Sequence, residues 1–163
     1  MDSTTNVIEK RVTLKAPRER VWSALTNAAE FGIWFGAKVD GAFTPHTRVE
    51  ARLVPTQMDP KIAAMQAGFA DTPFTLFIEE MVPPSRFTFR WHAYEAAPGE
   101  PEPVTTLVEF DLEEAEGQTV LRIRESGFDK VPLERRAKAF SDNDGGWTLQ
   151  GQLIATYLER AQG

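Results

Sequence analysis

The side chains best placed for chemistry in this 163-residue sequence are a carboxylate, Glu125, an imidazole, His92, and an amide, Gln150. Glu125 follows Leu121 and Ile123 at strand spacing and so shares their inward face. A carboxylate there either pairs with a cation such as Arg90 or Arg124, or lies at the strand end with its head in water. Unpaired and facing a cavity, Glu125 or His92 would be the candidate catalytic base. Alternation puts His92 opposite Trp91, on the outer face, where an ordinary exposed histidine is the simpler expectation. The other histidine, His46, is distant, and neither has a second ligand at metal spacing, so no metal site is expected. The sequence contains no cysteine, which excludes disulfides, thiolate nucleophiles and sulfur-ligated metals. It also lacks the G-x-S-x-G elbow and the glycine-rich phosphate and dinucleotide loops, and no cofactor is expected.

What the sequence does supply is aromatic surface. Trp34, Phe35, Phe89, Trp91, Phe110, Phe128 and Trp147 all fall at inward positions of the elements set out below. They could simply fill a core, or they could line a cavity for a small apolar or aromatic molecule. Gly151 and Ile154 lie on the same helix face as Trp147, and a glycine there implies either close packing or space beside the helix. We read it as space, which completes a candidate ligand-binding set with Gln150 as a polar contact. Asn143 and Asp144 are expected as helix caps.

These residues need a scaffold, and its pattern is readable. Residues 7–14 alternate as a strand, with Lys10 interrupting the apolar face of Ile8, Val12 and Leu14. Pro17 opens a short helix carrying Val21, Trp22 and Leu25, and a second helix follows over 28–35. Strands are expected at 42–53, 74–81, 86–91, 104–112 and 119–126. Pro83 and Pro84 turn one hairpin, 113–118 turns another, and 96–103 is a loop. Residues 55–73 form a long connection with a helical turn near 60–67. The piece at 128–140 leads into a terminal helix over 141–160, with Trp147, Gly151, Ile154 and Leu158 on one face and Ser141 to Asp144 as its cap. One long helix after a run of strands predicts an α+β fold, a curved antiparallel sheet gripping that helix.

Length predicts one domain over 1–163, with its core at about 7–160. The net charge of −6, with a single short basic cluster at Arg135, Arg136 and Lys138, disfavours nucleic acid and anionic lipid as partners. The N-terminal stretch lacks a leader pattern and no apolar run is long enough to span a membrane, so the expectation is a cytoplasmic protein without membrane contact.

Several strings then match a known pattern: PRERVWSALT, FGIWFG, the proline turn before FTFRWH, ESGFD, and the final GGW…L…YLE. Together, from about Val7 to Leu158, they resemble the START-like (helix-grip, SRPBCC) superfamily. Within it they are similar to the bacterial branch of the family named for the activator of the heat-shock protein 90 ATPase. The resemblance implies an apolar pocket between sheet and terminal helix. By topology it places Trp34 and Phe35 at the mouth, Trp91 and Phe110 on the sheet, and Trp147, Gly151 and Ile154 on the helix. The connection at 55–73 is a departure, longer than in the shortest members, and would cover the mouth as a lid. It carries over no catalytic residue. The leading expectation is a small-molecule binding protein rather than an enzyme. A cavity enzyme of cyclase or dehydratase type and a protein-interaction or co-chaperone-like module are the alternatives, and exposed strand edges allow a homodimer.

Overall fold

The chain opens with strand β1 (Val7–Leu14), followed by helices α1 (Arg18–Thr26) and α2 (Ala28–Phe35). The computed structural model describes residues 6–94 and 98–162, with side chains to residue 160. The loop expected at 96–103 therefore lies partly outside the described residues, as do residues 1–5. A single residue, Asn27, separates the two helices. Its extended backbone ends α1, and its side chain accepts the Glu30 N–H at 3.0 Å to cap α2. Gly36, at φ 90°, closes α2 in the left-handed conformation that glycine adopts without strain.

Six further strands follow: β2 (Ala37–Val39), β3 (Arg48–Leu53), β4 (Pro73–Val82), β5 (Arg86–His92), β6 (Thr105–Ala115) and β7 (Gln118–Ser126). Between β3 and β4 lie α3 (Pro60–Gln66) and a 3-10 turn (Ala67–Phe69). After β7 comes a 3-10 turn (Phe128–Lys130) and then α4 (Leu133–Gln162). The strands form one antiparallel sheet in the order β1-β7-β6-β5-β4-β3-β2. The two N-terminal helices thus carry the chain from one sheet edge to the other, and the later strands walk back to β1. α4 crosses the inner face, packed on β1 and α2. This is the helix-grip fold.

Two elements depart most from the sequence pattern. The strand expected at 42–53 begins only at Arg48, because the segment before it turns, with His46 at φ 62°, and the short β2 precedes that turn. The terminal helix expected at 141–160 instead starts at Leu133, so Ser141 to Asp144 are interior helical residues rather than a cap. Their side chains serve other partners: Asp142 pairs with Lys138 at 2.6 Å, and Asp144 pairs with Lys10 of β1 at 2.9 Å. Lys10 interrupts the apolar stripe of β1 because it meets that helix carboxylate.

Close approach explains two glycines. A Cβ on Gly32 would run into the carbonyl oxygen of Ala37, and one on Gly151 would lie 2.9 Å from a methyl of Val12. At the junction of α1, α2 and α4, Glu30 accepts hydrogen bonds from Ser23 and Tyr157, both at 2.6 Å, and pairs with Arg20 at 2.7 Å. Burial opposes its charge, but the bonds from Ser23, Tyr157 and Arg20 outweigh it and hold the carboxyl pKa below its ordinary value.

Gly32→Ala will lower stability by about 2 kcal/mol despite alanine's better helix propensity, because the obstacle is backbone. Gly145→Ala, in α4 with nothing near the added methyl, will raise it by up to about 1 kcal/mol, and urea midpoints report both signs. For Glu30 the lowered folded-state pKa means stability that is present above the unfolded value and lost as pH falls. The stability gap between wild type and Glu30→Gln, measured by urea unfolding from pH 7 downward, will therefore narrow below about pH 4.5.

Candidate functional site

The register of the sheet assembles a polar cluster on its inner face. Trp91 of β5 pairs opposite Thr106 of β6, and Val108, two residues on, pairs opposite Glu125 of β7, so all three side chains point inward in one neighbourhood. α4 lays Asn143 and, one turn later, Trp147 over them. Glu125 is 0% exposed. The indole N–H groups of Trp91 and Trp147 each donate to it at 2.8 Å, one to each oxygen. The Asn143 amide nitrogen lies 3.0 Å from both oxygens, and the Thr106 hydroxyl donates to the oxygen that Trp91 uses. The expected cationic partners are elsewhere: Arg90 pairs with Glu79 at 3.0 Å, and Arg124 is not among the groups bonded to Glu125. Neutral donors from two strands and one helix converge on a single carboxylate, and the indole and amide N–H groups can only donate. Hydrogen bonds to a charged group contribute roughly 1.5–3 kcal/mol each, and a buried donor left without one costs about 1–3 kcal/mol.

Around this cluster the interior is filled with rings. Trp91 and Trp147 stack with centroids 5.5 Å apart at 25°, Phe110 meets Trp147 edge-on at 5.7 Å, and Phe35 reaches both indoles at 6.1 and 6.4 Å. The open volume lies to one side. A cleft of about 1040 Å³ runs between the N-terminal half of α4 and the ends of β3, β4 and β5. Phe35, Phe74, Trp91 and Tyr94 give it an aromatic lining, Phe69 and Thr72 of the connection after α3 border it, and Asn143 faces it from the helix. Arg135 stands 5.3 Å over the ring of Tyr94 and pairs with Glu100, while Glu50 and His92 lie on the opposite rim.

Of the residues expected to hold a ligand, Phe35 and Trp91 border this cleft. Trp34, Phe89, Phe110, Phe128 and Ile154 are core residues, each at most 1% exposed; Trp34 donates its indole N–H to the Ala24 carbonyl at 2.9 Å, and Phe128 packs on Phe140. Trp147 lies beneath Trp91. Gln150 donates to the Phe35 carbonyl at 3.1 Å and so ties α4 to α2. Gly151 marks close packing against Val12 rather than an opening into the cleft, and it borders a separate hollow of about 340 Å³ beside β1. The two candidate bases do not face each other. Glu125 lies beneath the cleft with Trp91 and Asn143 between, and His92 packs edge-on against Phe77, its Nε2 3.7 Å from Glu102. Phe74 was not among the expected site residues, and Asn143 was assigned to a helix cap. Phe74 alternates with Leu76 and Ile78, and Asn143 stands one turn before Trp147, so both were legible as inward positions. Among the described residues no group of His, Asp or Glu is placed to hold a metal ion, and no helix is long and apolar enough to cross a membrane.

The family model described as Activator of Hsp90 ATPase homolog 1-like protein matches residues 15–159, and the chain belongs to that family. Solved structures agree on the fold. Protein MLL2253 from Mesorhizobium loti superimposes with a TM-score of 0.71 at 18% identity, over 94% of this chain and 97% of that one. The Aha1 dimer from Colwellia psychrerythraea gives 0.69 at 19%, over 96% and 98%. DynU16, a protein of the dynemicin biosynthetic locus, gives 0.66 at 20%, and covers 94% of this chain while this chain spans 47% of DynU16. No functionally curated protein matches the sequence.

Glu125→Leu strands several buried donors at once and will cost about 4 kcal/mol in urea unfolding, whereas Thr106→Val, which removes one donor and leaves the carboxylate three others, will cost about 1 kcal/mol. Equal small losses in the two variants would contradict the converging network.

Proposed function

We propose that this protein is a cytoplasmic binding protein that takes a small planar aromatic molecule into the cleft between α4 and the ends of β3, β4 and β5. The observation that carries the reading is the state of Trp91. Its ring borders the cleft while its N–H is held by a buried carboxylate and its other face stacks on Trp147, so the binding surface is in place before a ligand arrives. Phe74, 6.4 Å from Trp91 and edge-on to it, supplies a second wall. The volume of about 1040 Å³ lies at the upper end of the roughly 300–1,000 Å³ of small-molecule sites, enough for a fused ring system. Aromatic pairs add about 0.5–1.5 kcal/mol beyond the area they bury, which favours a ring over an aliphatic chain of equal size. Phe69, 63% exposed at the mouth, adds apolar surface that a bound molecule would cover. Self-association, as in the Colwellia dimer, fits a sheet with β1 and β2 as open edges.

Thermal shift and native mass spectrometry with a panel of two- and three-ring aromatics test the reading. A binder at 100 times its Kd stabilises the fold by roughly 2.7 kcal/mol, a rise in Tm of about 5–10 °C. Phe74→Ala and Tyr94→Ala will each weaken that binder up to roughly tenfold. A panel that gives no shift, or a shift indifferent to both substitutions, would contradict an aromatic site in this cleft.

A further inference from the structure

The bond between Asn143 and Glu125 fixes more than the helix. Asn143 borders the cleft, and its amide nitrogen lies 3.0 Å from both carboxylate oxygens beneath. A carboxylate only accepts, so it holds the nitrogen of the amide on its own side and turns the carbonyl oxygen away from it. Two donors that line the cleft with Asn143 are spent inside the protein. The Trp91 N–H also goes to Glu125, and the Thr75 hydroxyl donates to Glu50 at 2.9 Å. Beside Trp91 the group that Asn143 leaves to a ligand is an acceptor, its amide oxygen, while the hydroxyls of Thr72 and Tyr94 also line the cleft.

We infer that the cleft selects aromatic molecules whose ring carries a hydrogen-bond donor, a phenolic hydroxyl or a ring N–H, that Asn143 is the residue that reads it, and that Glu125 is the positioning residue that sets the polarity of Asn143. This rests on the reading of the cleft as an aromatic site and adds the chemical class of the substituent.

The test uses two probes with the same ring system, 2-naphthol and 2-methoxynaphthalene, titrated by calorimetry. A single net hydrogen bond makes the naphthol bind about three- to tenfold more tightly in wild type than expected from the ring alone. That baseline is read from Asn143→Ala, which lacks the acceptor and keeps Glu125 bonded to both tryptophans and Thr106. The naphthol-to-ether affinity ratio should fall by that factor in Asn143→Ala. In Glu125→Gln the new side-chain amide can donate to Asn143, so the Asn143 amide can turn over, and the ratio should fall to the Asn143→Ala baseline or below it. Thermal melts establish that each variant is folded, and the Asn143 side-chain amide resonances, shifted between wild type and Glu125→Gln without ligand, report the turn itself. An unchanged ratio in Asn143→Ala overturns the inference while leaving the aromatic site standing if Phe74→Ala still weakens both probes. Failure of wild type to bind either probe overturns the aromatic site and this inference with it.

Discussion

A carboxylate with no exposure to water must find its full complement of donors inside the protein, and Glu125 does so by drawing on three other elements at once. β5, β6 and α4 each contribute at least one side chain to a group carried by β7. Removing such a group from water costs several kcal/mol, and that cost is offset only while all the donors stay aligned. The consequence is geometric. The crossing of α4 over the sheet is fixed at Asn143 and Trp147, and the ring planes of both tryptophans are fixed by where their N–H groups must point. The floor of the cleft inherits that rigidity.

Filling and opening are divided between the two halves of α4. Over the second half, Gly151 lets the helix approach Val12 closely, Gln150 bonds to the backbone of Phe35, and Ile154 and Leu158 are buried in the core. Over the first half, the helix stands away from the ends of β4 and β5, and Phe74, Trp91 and Tyr94 face an open cleft. The grip of sheet on helix is thus tight at one end and loose at the other, with the Glu125 cluster at the boundary. The outer face of the sheet takes no part in this; there Arg86, Glu109, Asp111 and Arg122 form a cross-strand ladder of opposite charges suited to solvent.

Much of this fold was legible from residue pattern. The apolar alternation of β1, the proline ahead of α1 and the proline turn before β5 each gave local signals strong enough to fix their elements. The start of α4 was not legible, because Ser141, Asp142, Asn143 and Asp144 are the residue types that cap helices, and only their distant partners Lys10 and Glu125 explain why the helix runs through them. The turn between β6 and β7 was read too long for a related reason. Glu116 and Gly117, at φ 54° and 80°, make a two-residue turn whose left-handed glutamate no propensity would suggest. For the site, alternation correctly sent Glu125 inward, but a sequence cannot show that its partners are indoles and an amide rather than arginines. Gly151 was ambiguous in principle, since packing and space leave the same residue.

The account stands on the claim that the indole N–H groups of Trp91 and Trp147 are locked onto a buried carboxylate. Hydrogen exchange of those two protons, followed by NMR across a series of urea concentrations below the unfolding transition, measures this most directly. The account predicts that both exchange only through global unfolding, with an opening free energy equal to that of the slowest backbone amides and the same denaturant slope. Exchange of either indole through a low-energy local opening, insensitive to urea, would show that the carboxylate does not hold the floor of the cleft and would contradict it.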